Sequence, residues 1–422
     1  MTPTRRSTAR TSRSLTKKGL ATRTALLEAA RQVFKEQGYY GASVSEISRR
    51  SGLAQGSFYQ YFKNKEQILL EINDLIITSF LQQAEELTQV GLDFETRLRR
   101  AVGLLFNHIR DNFYFHRILG EFELIDPVTI GYHDALARFY RRFFRHEAAQ
   151  GTIRPLDPNL IAYGLIGLTY FQAMDWGPDR EVFSPEQIVD LTLDLIRRGI
   201  AGPKPWTPSP LPVPSVLSAD NAQPPVPEKD LTQGQKTKRA IFQAAEQVFG
   251  QVGFNRANIS EITRRAGVAQ GTFYVHFKSK RDLLQGFVEY LSREMRLALR
   301  QATDRVSDRR DQEREGLLAF FRFLTQHRRI YRVVAESETM GQEISMWYYN
   351  KLAEGYTAGL AEGIARGEIR DLPPAFLARA LMGFNHMIGL KWLVWNTSPH
   401  AKIPRQLLEE AIEFVLKGLR PA

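Results

Sequence analysis

Two short stretches hold residues whose types and order suit the recognition of a polyanion rather than bond cleavage. Residues 55–65 read QGSFYQYFKNK and residues 270–280 read QGTFYVHFKSK. In the first, Phe58 and Phe62 stand four apart and can anchor one face of a short helix to a core. Gly56, Ser57, Tyr59, Gln60 and Tyr61 are left for its outer face. A glycine at the start of such a helix lets a backbone approach a phosphate closely. Asn64 and Ser279 are then N-cap candidates, with Gln67 and Asp282 at the third helical position. Lys65 and Lys280 open that next helix against its macrodipole, which makes sense if an anion docks there. A phosphate would take the N–H groups, the dipole and the lysine together. We read Phe58, Phe62, Phe273 and Phe277 as core, and Tyr59 and Tyr274 as outward-facing. His276 has no second His or carboxylate near it at ligand spacing, so no metal site is expected.

Other chemistry is excluded more simply. The 422 residues contain no cysteine, which removes disulfides, thiolate metal sites and cysteine nucleophiles. No nucleophile elbow, P-loop, strand-borne GxGxxG or HExxH occurs, so neither an enzyme nor a cofactor is expected. No apolar run of about 18 residues marks a transmembrane helix, and the basic N-terminus lacks the apolar stretch of a signal peptide. The net charge is +11, and Arg5, Arg6, Arg10, Arg13, Lys17 and Lys18 all precede the first acid, Glu28. That arm is either a solubilising tail or a strand of charge that follows a phosphate backbone.

The elements that must position these residues occur twice. Residues 22–69 and 237–284 align without a gap at an offset of 215, with about half of the 48 positions identical. Further on, HRILGE (116–121) faces YRVVAE (331–336), and GTIRPLDP (151–158) faces GEIRDLPP (367–374) after a one-residue slip. Leu26, Ala29, Ala30, Val33 and Phe34, like Ile241, Ala244, Ala245, Val248 and Phe249, recur on one helical face. Gly38 and Gly253 stop those helices. The next helix opens with a capping box, Ser43 with Glu46 or Asn258 with Glu261. It ends at Gly52 or Gly267, and a turn leads into the short helix with which we began. Helix, glycine turn and helix make a helix-turn-helix.

At this point both segments resemble the DNA-binding domain of the TetR family of bacterial transcriptional regulators, through EISRRSGLAQGSFYQYFKNKEQIL and EITRRAGVAQGTFYVHFKSKRDLL. The resemblance implies a third helix in the major groove. It makes Gln55, Ser57 and Gln60, and Gln270, Thr272 and Val275, candidates for base or near-base contact. Tyr59, Tyr61, Tyr274 and His276 match phosphate-contacting or bracing positions, and Lys65 and Lys280 the phosphate-gripping lysine. Ser43, Gly56, Lys63, Asn258, Gly271 and Lys278 complete the DNA-facing set. Gln60 can pair with an adenine edge whereas Val275 can only touch a methyl, so two similar but non-identical half-sites are expected. The resemblance further implies a bacterial cytoplasmic protein, with the nucleoid as its place when DNA-bound. It also implies a small-molecule effector, and repression relieved by it. An inactive head on a ligand- or protein-binding module is the alternative.

The fold expected is all-α: an arm (1–19), a first head (20–80), a helical regulatory and dimerisation domain (81–201), a Pro-rich linker (202–234), a second head (235–295) and a second regulatory domain (296–422). Leu160–Phe171 is apolar nearly all round and should be buried on every side, as should Phe376–Leu393. Ser184-Pro185 opens a helix bearing Ile188, Leu191 and Leu195, with Pro404–Leu419 as its partner. Family members pair two such helices from each subunit. Here both sets lie in one chain, which suggests an intramolecular pseudo-dimer; two chains pairing like with like is the competitor. Candidate effector-pocket residues are Phe106, Phe113, Phe122, Phe139, Phe143, Tyr170 and Met174, and Phe320, Phe323, Trp347, Tyr348, Met387 and Trp392, against plain core as the bland reading. Arg117 with Glu121 and Arg332 with Glu336 read as structural ion pairs.

Overall fold

The structure is a computed structural model that describes residues 16–87, 91–121, 127–174, 177, 182–210, 231–328, 331, 342–398 and 400–421. Arg5 to Arg13 of the arm, Phe122, Arg332, Glu336, the linker from 211 to 230 and the side chains of Arg117 and Glu121 lie outside the described residues. The described chain is all-α, with one isolated bridge, Ala201 to Ile369, and no strand. It divides into two compact units, 1–75 and 76–422.

In the first unit, α1 (Lys17–Gly41) begins earlier than the expected arm boundary, because the Thr16 hydroxyl accepts from the Gly19 N–H and caps it. It buries Leu26, Ala29, Ala30, Val33 and Phe34, the predicted face. Gly38 breaks it at φ 70°, a backbone region open to glycine. Then follow α2 (Val44–Arg50), α3 (Gln55–Tyr61) and the start of α4 (Lys65–Glu86). In the second unit, α10 (Gln233–Arg256), α11 (Ile259–Ala266), α12 (Gln270–His276) and α13 (Lys280–Thr303) repeat that plan, with Gly253 at φ 74°.

The first regulatory domain comprises α5 (Phe94–Asp111), α6 (Phe113–Glu121), α7 (Pro127–Ala149), α8 (Pro158–Ala173) and α9 (Pro185–Arg198). The second comprises α14 (Arg309–Gln326), α15 (Gln342–Ala365), α16 (Pro374–Gly389, running on into a π turn at Leu390–Val394) and α17 (Arg405–Lys417). Helix α8 is buried at every position from Leu160 to Gln172 because α5 and α7 cover one side and α16 the other. Helices α8 and α16 cross at Gly167 and Gly383, where a Cβ on either would collide with the other's carbonyl.

Around that crossing the halves exchange bonds reciprocally. Ile200 N–H donates to Val415 O (2.9 Å) while Leu419 N–H donates to Ile196 O (2.8 Å). Arg154 N–H donates to Leu419 O (3.0 Å) while Arg370 N–H donates to Ile200 O (2.9 Å). Each patch meets its own duplicate, as in a two-fold interface between identical subunits.

The first part of the linker is docked, which its composition did not suggest. Lys204 N–H donates to Gly367 O (3.1 Å) and its ammonium pairs with Glu368 (2.9 Å). The buried Arg310 guanidinium donates to Lys204 O (2.7 Å) and lies over the Trp206 ring at 5.0 Å. Asp311 accepts from Trp206 Nε1 (3.2 Å), Ser209 N–H (3.2 Å) and the Ser209 hydroxyl (2.9 Å). Burial would raise the Asp311 pKa, but bonds from Arg314, Trp206 and Ser209 outweigh it and hold the carboxyl below its usual range.

Candidate nucleic-acid interface and effector cavity

In both heads the short third helix is anchored by buried phenylalanines, Phe58 and Phe62 or Phe273 and Phe277, as their spacing requires. The opposite face is open. Gln55, Gly56, Tyr59 and Gln60 are exposed, as are Gln270, Gly271, Tyr274 and Val275; Ser57, Tyr61, Thr272 and His276 are half-buried. Tyr59 and Tyr274 are 56% and 54% exposed, and Val275, an aliphatic side chain, 80%. A Cβ on Gly56 or Gly271 would meet nothing within 4 Å. The protein's own packing therefore does not require glycine at these helical positions, where it costs about 1 kcal/mol against alanine.

The turns around this helix are held by caps. Ser43 Oγ accepts from the Glu46 N–H (3.1 Å), and Asn258 Oδ1 from the Ser260 N–H (3.0 Å). The reciprocal half of the expected capping box is replaced. Glu46 gives its carboxylate to Arg49 (2.8 Å) and Arg50 (2.7 Å), and Glu261 to Arg264 and Arg265. Hydrogen bonds from those arginines pull the Glu46 carboxyl down to about 2. Asn64 and Ser279 cap the following helix, accepting from Gln67 N–H (2.8 Å) and Asp282 N–H (3.1 Å). Gln67 and Asp282 return acceptors to the N–H groups of Lys63 and Lys278, both at 2.7 Å.

Lys65 and Lys280 each hold two backbone carbonyls. Lys65 Nζ donates to Tyr39 O (2.5 Å) and Ala42 O (2.8 Å) and sits 4.3 Å from the Tyr39 ring centre. Lys280 Nζ donates to Phe254 O (2.8 Å) and Ala257 O (2.9 Å). These carbonyls lie beyond the glycine breaks of α1 and α10, and Phe254 O also accepts from the Ala257 N–H (3.2 Å). Lys63 and Lys278 are exposed.

A cavity of about 370 Å³ opens in the second regulatory domain among α13, α14, α15 and α16. Met295, Leu299, Leu317, Phe320 and Leu381 give it apolar walls, and Arg296, Arg300 and Lys351 stand on its rim. Arg309 and Glu313 pair inside it at 2.6 Å, and the Tyr356 hydroxyl donates to Glu313. Among the described residues, Arg309 Nε and Asn385 Oδ1 are buried with no hydrogen-bond partner. Phe171, from the first half, completes the wall.

Of the aromatic candidates, Phe320 and Tyr348 line this cavity. Phe323 packs on His327 with ring centres 4.4 Å apart, Trp392 faces Tyr163 at 6.0 Å, Met387 is core, and Trp347 is half-buried away from the lining. In the first half, Phe106, Phe139, Tyr170 and Met174 are buried; Phe113, half-buried, stacks on Tyr170 at 5.4 Å, and the Phe143 ring lies tilted to Phe139 at 6.2 Å. The charged residues of the cavity were not singled out from the sequence. Their signal lay in the repeat: Arg309 and Glu313 stand where the first half has Phe94 and Leu98. Among the described residues no group of three or more His, Asp or Glu could hold a metal, and no helix is long and apolar enough to cross a membrane.

Two helix-turn-helix heads followed by helical domains define a DNA-binding transcriptional regulator. A family model described as "Bacterial regulatory proteins, tetR family" matches residues 26–72 and 241–286. The HTH-type transcriptional activator FasR of Mycolicibacterium smegmatis is 37% identical over 178 residues, 42% of this chain and 81% of that protein. The chain therefore belongs to the TetR family. The fatty acid metabolism regulator protein of Bacillus subtilis is 39% identical over 61 residues, 14% of this chain and 31% of that protein. The crystal structure of the Bacillus subtilis regulator FadR with stearoyl-CoA covers 41% of this chain and 96% of its own, at 21% identity and a TM-score of 0.36.

Proposed function

We propose that one chain reads one operator with its two heads, at two similar but non-identical half-sites, and releases it when an effector fills the cavity of the second regulatory domain. We read it as a repressor. The observation that carries DNA contact is the pair of glycines, Gly56 and Gly271, with open space where a side chain would go. A helical glycine that packing does not require, followed three residues on in both copies by an exposed tyrosine, suits the close approach of a phosphodiester backbone. Gln60 and Val275 supply the difference between half-sites. Phosphate contact falls to the exposed Lys63 and Lys278 rather than to Lys65 and Lys280.

The effector we infer is an amphipathic anion, an acyl chain with an acidic head group. The apolar walls suit the chain, and the rim arginines and unpartnered Arg309 Nε suit the head. The name of one relative, a fatty acid metabolism regulator, points the same way. FasR carries the name of an activator, which favours activation as a second reading; a reporter gene behind the operator separates the two.

The test is Gly56→Ala and Gly271→Ala, each in the full chain on the DNA it protects. Alanine should leave the melting temperature unchanged or slightly raised, since helix propensity improves by up to about 1 kcal/mol. Operator affinity should fall at least about tenfold, or 1.4 kcal/mol. Unchanged affinity in both would remove the glycine argument for DNA contact.

A further inference from the structure

The cavity has a duplicate position in the first regulatory domain, and the two are built differently. We propose that the regulatory domains have divided the labour: the second binds the effector, the first has filled the equivalent space with its own side chains, and one chain takes one effector molecule. This rests on reading the cavity as the effector site.

The repeat aligns Met295 with Phe80 and Gly316 with Ala101 at the 215-residue offset. After the one-residue slip it aligns Gly355 with Phe139, Tyr348 with Tyr132 and Tyr356 with Tyr140. In the first domain the Phe80 ring lies 4.7 Å from His108, 6.5 Å from Phe139 and 6.2 Å from Tyr140. All three phenyl-type rings are buried. Tyr140, Tyr132 and His108, the polar groups beside those rings, find partners within the protein. Tyr140 donates to Ala101 O (2.8 Å), and Tyr132 and His108 Nε2 share a hydrogen bond of 2.9 Å.

In the second domain the two rings are missing. Position 295 is a flexible methionine and position 355 has no side chain, so its Cβ direction is open. The matching hydroxyl, on Tyr356, turns to Glu313 instead of backbone, and Arg309 Nε and Asn385 Oδ1 find no partner among the described residues. Buried polar atoms of that kind are costly unless something pairs with them. The first half still touches the occupant's site through Phe171, whose ring lies 5.0 Å from Tyr349 and 5.3 Å from His386. Filling one cavity therefore bears on both halves.

The absence of cysteine makes the test clean. Leu352→Cys places a thiol on the cavity wall, and Leu136→Cys places one at the aligned position of the first domain. With a small thiol reagent such as methyl methanethiosulfonate, the folded chain should react at 352 at least tenfold faster than at 136, and in urea both should react alike. Gly316→Cys against Ala101→Cys repeats the comparison should the buried leucine change unfold its domain. Equal rates in folded protein would overturn the division. By calorimetry, dodecanoate should bind once per chain, and Gly355→Phe should weaken it at least tenfold with the melting temperature kept. Two molecules per chain, or binding indifferent to Gly355→Phe, would overturn it. No dodecanoate binding with the labelling contrast intact would support the division and count against the acyl effector proposed above.

Discussion

At the scale of single residues, the phenylalanines of the two short third helices and the lysines that follow them separate what a motif shows from what a neighbourhood decides. The phenylalanines at 58, 62, 273 and 277 were legible because a four-residue spacing fixes a helix face without knowledge of its partner. The carbonyl partners of Lys65 and Lys280 were not. The place of each lysine at a helix start is visible in sequence, but the carbonyls of Tyr39, Ala42, Phe254 and Ala257 come into reach only once the preceding helix has broken at its glycine. The consequence is measurable. Lys65→Ala should cost the first head about 1–3 kcal/mol through the loss of its hydrogen bonds to Tyr39 O and Ala42 O. Lys63→Ala should leave melting unchanged and lower the salt slope of operator binding by about one. If Lys63→Ala destabilises the chain while Lys65→Ala does not, the roles are reversed.

At the scale of elements, the helices were readable from apolar periodicity and caps, and the linker was not. A proline-rich composition predicts an extended tether, and nothing in it names a partner. Residues 202–209 nonetheless hold to α14, because Trp206 meets the guanidinium of Arg310 and its indole N–H meets Asp311. The same turn of α14 carries Arg309 and Glu313 of the cavity, so strap and cavity share one rigid support. Asp311→Ala should speed hydrogen exchange at the Ser209 amide at least tenfold, since its acceptor is lost. An unchanged exchange rate would mean that the strap does not depend on this carboxylate.

At the scale of the whole molecule, the duplication was plain in the sequence, and it implied that two halves could pair as two subunits would. Contacts between the two halves are consistent with that reading. Gly167 meets Gly383, and Ile200, Leu419, Arg154 and Arg370 exchange backbone bonds reciprocally within one chain. The departure from symmetry was harder to see, because an aligned phenylalanine and glycine, such as Phe139 and Gly355, read as ordinary drift until the space between helices is known. The central claim is that a single chain is the DNA-reading unit. The most direct measurement is the mass of the complex on its footprinted operator, by sedimentation or native mass spectrometry. One chain per duplex is predicted; two chains per duplex, with four heads, would contradict the account.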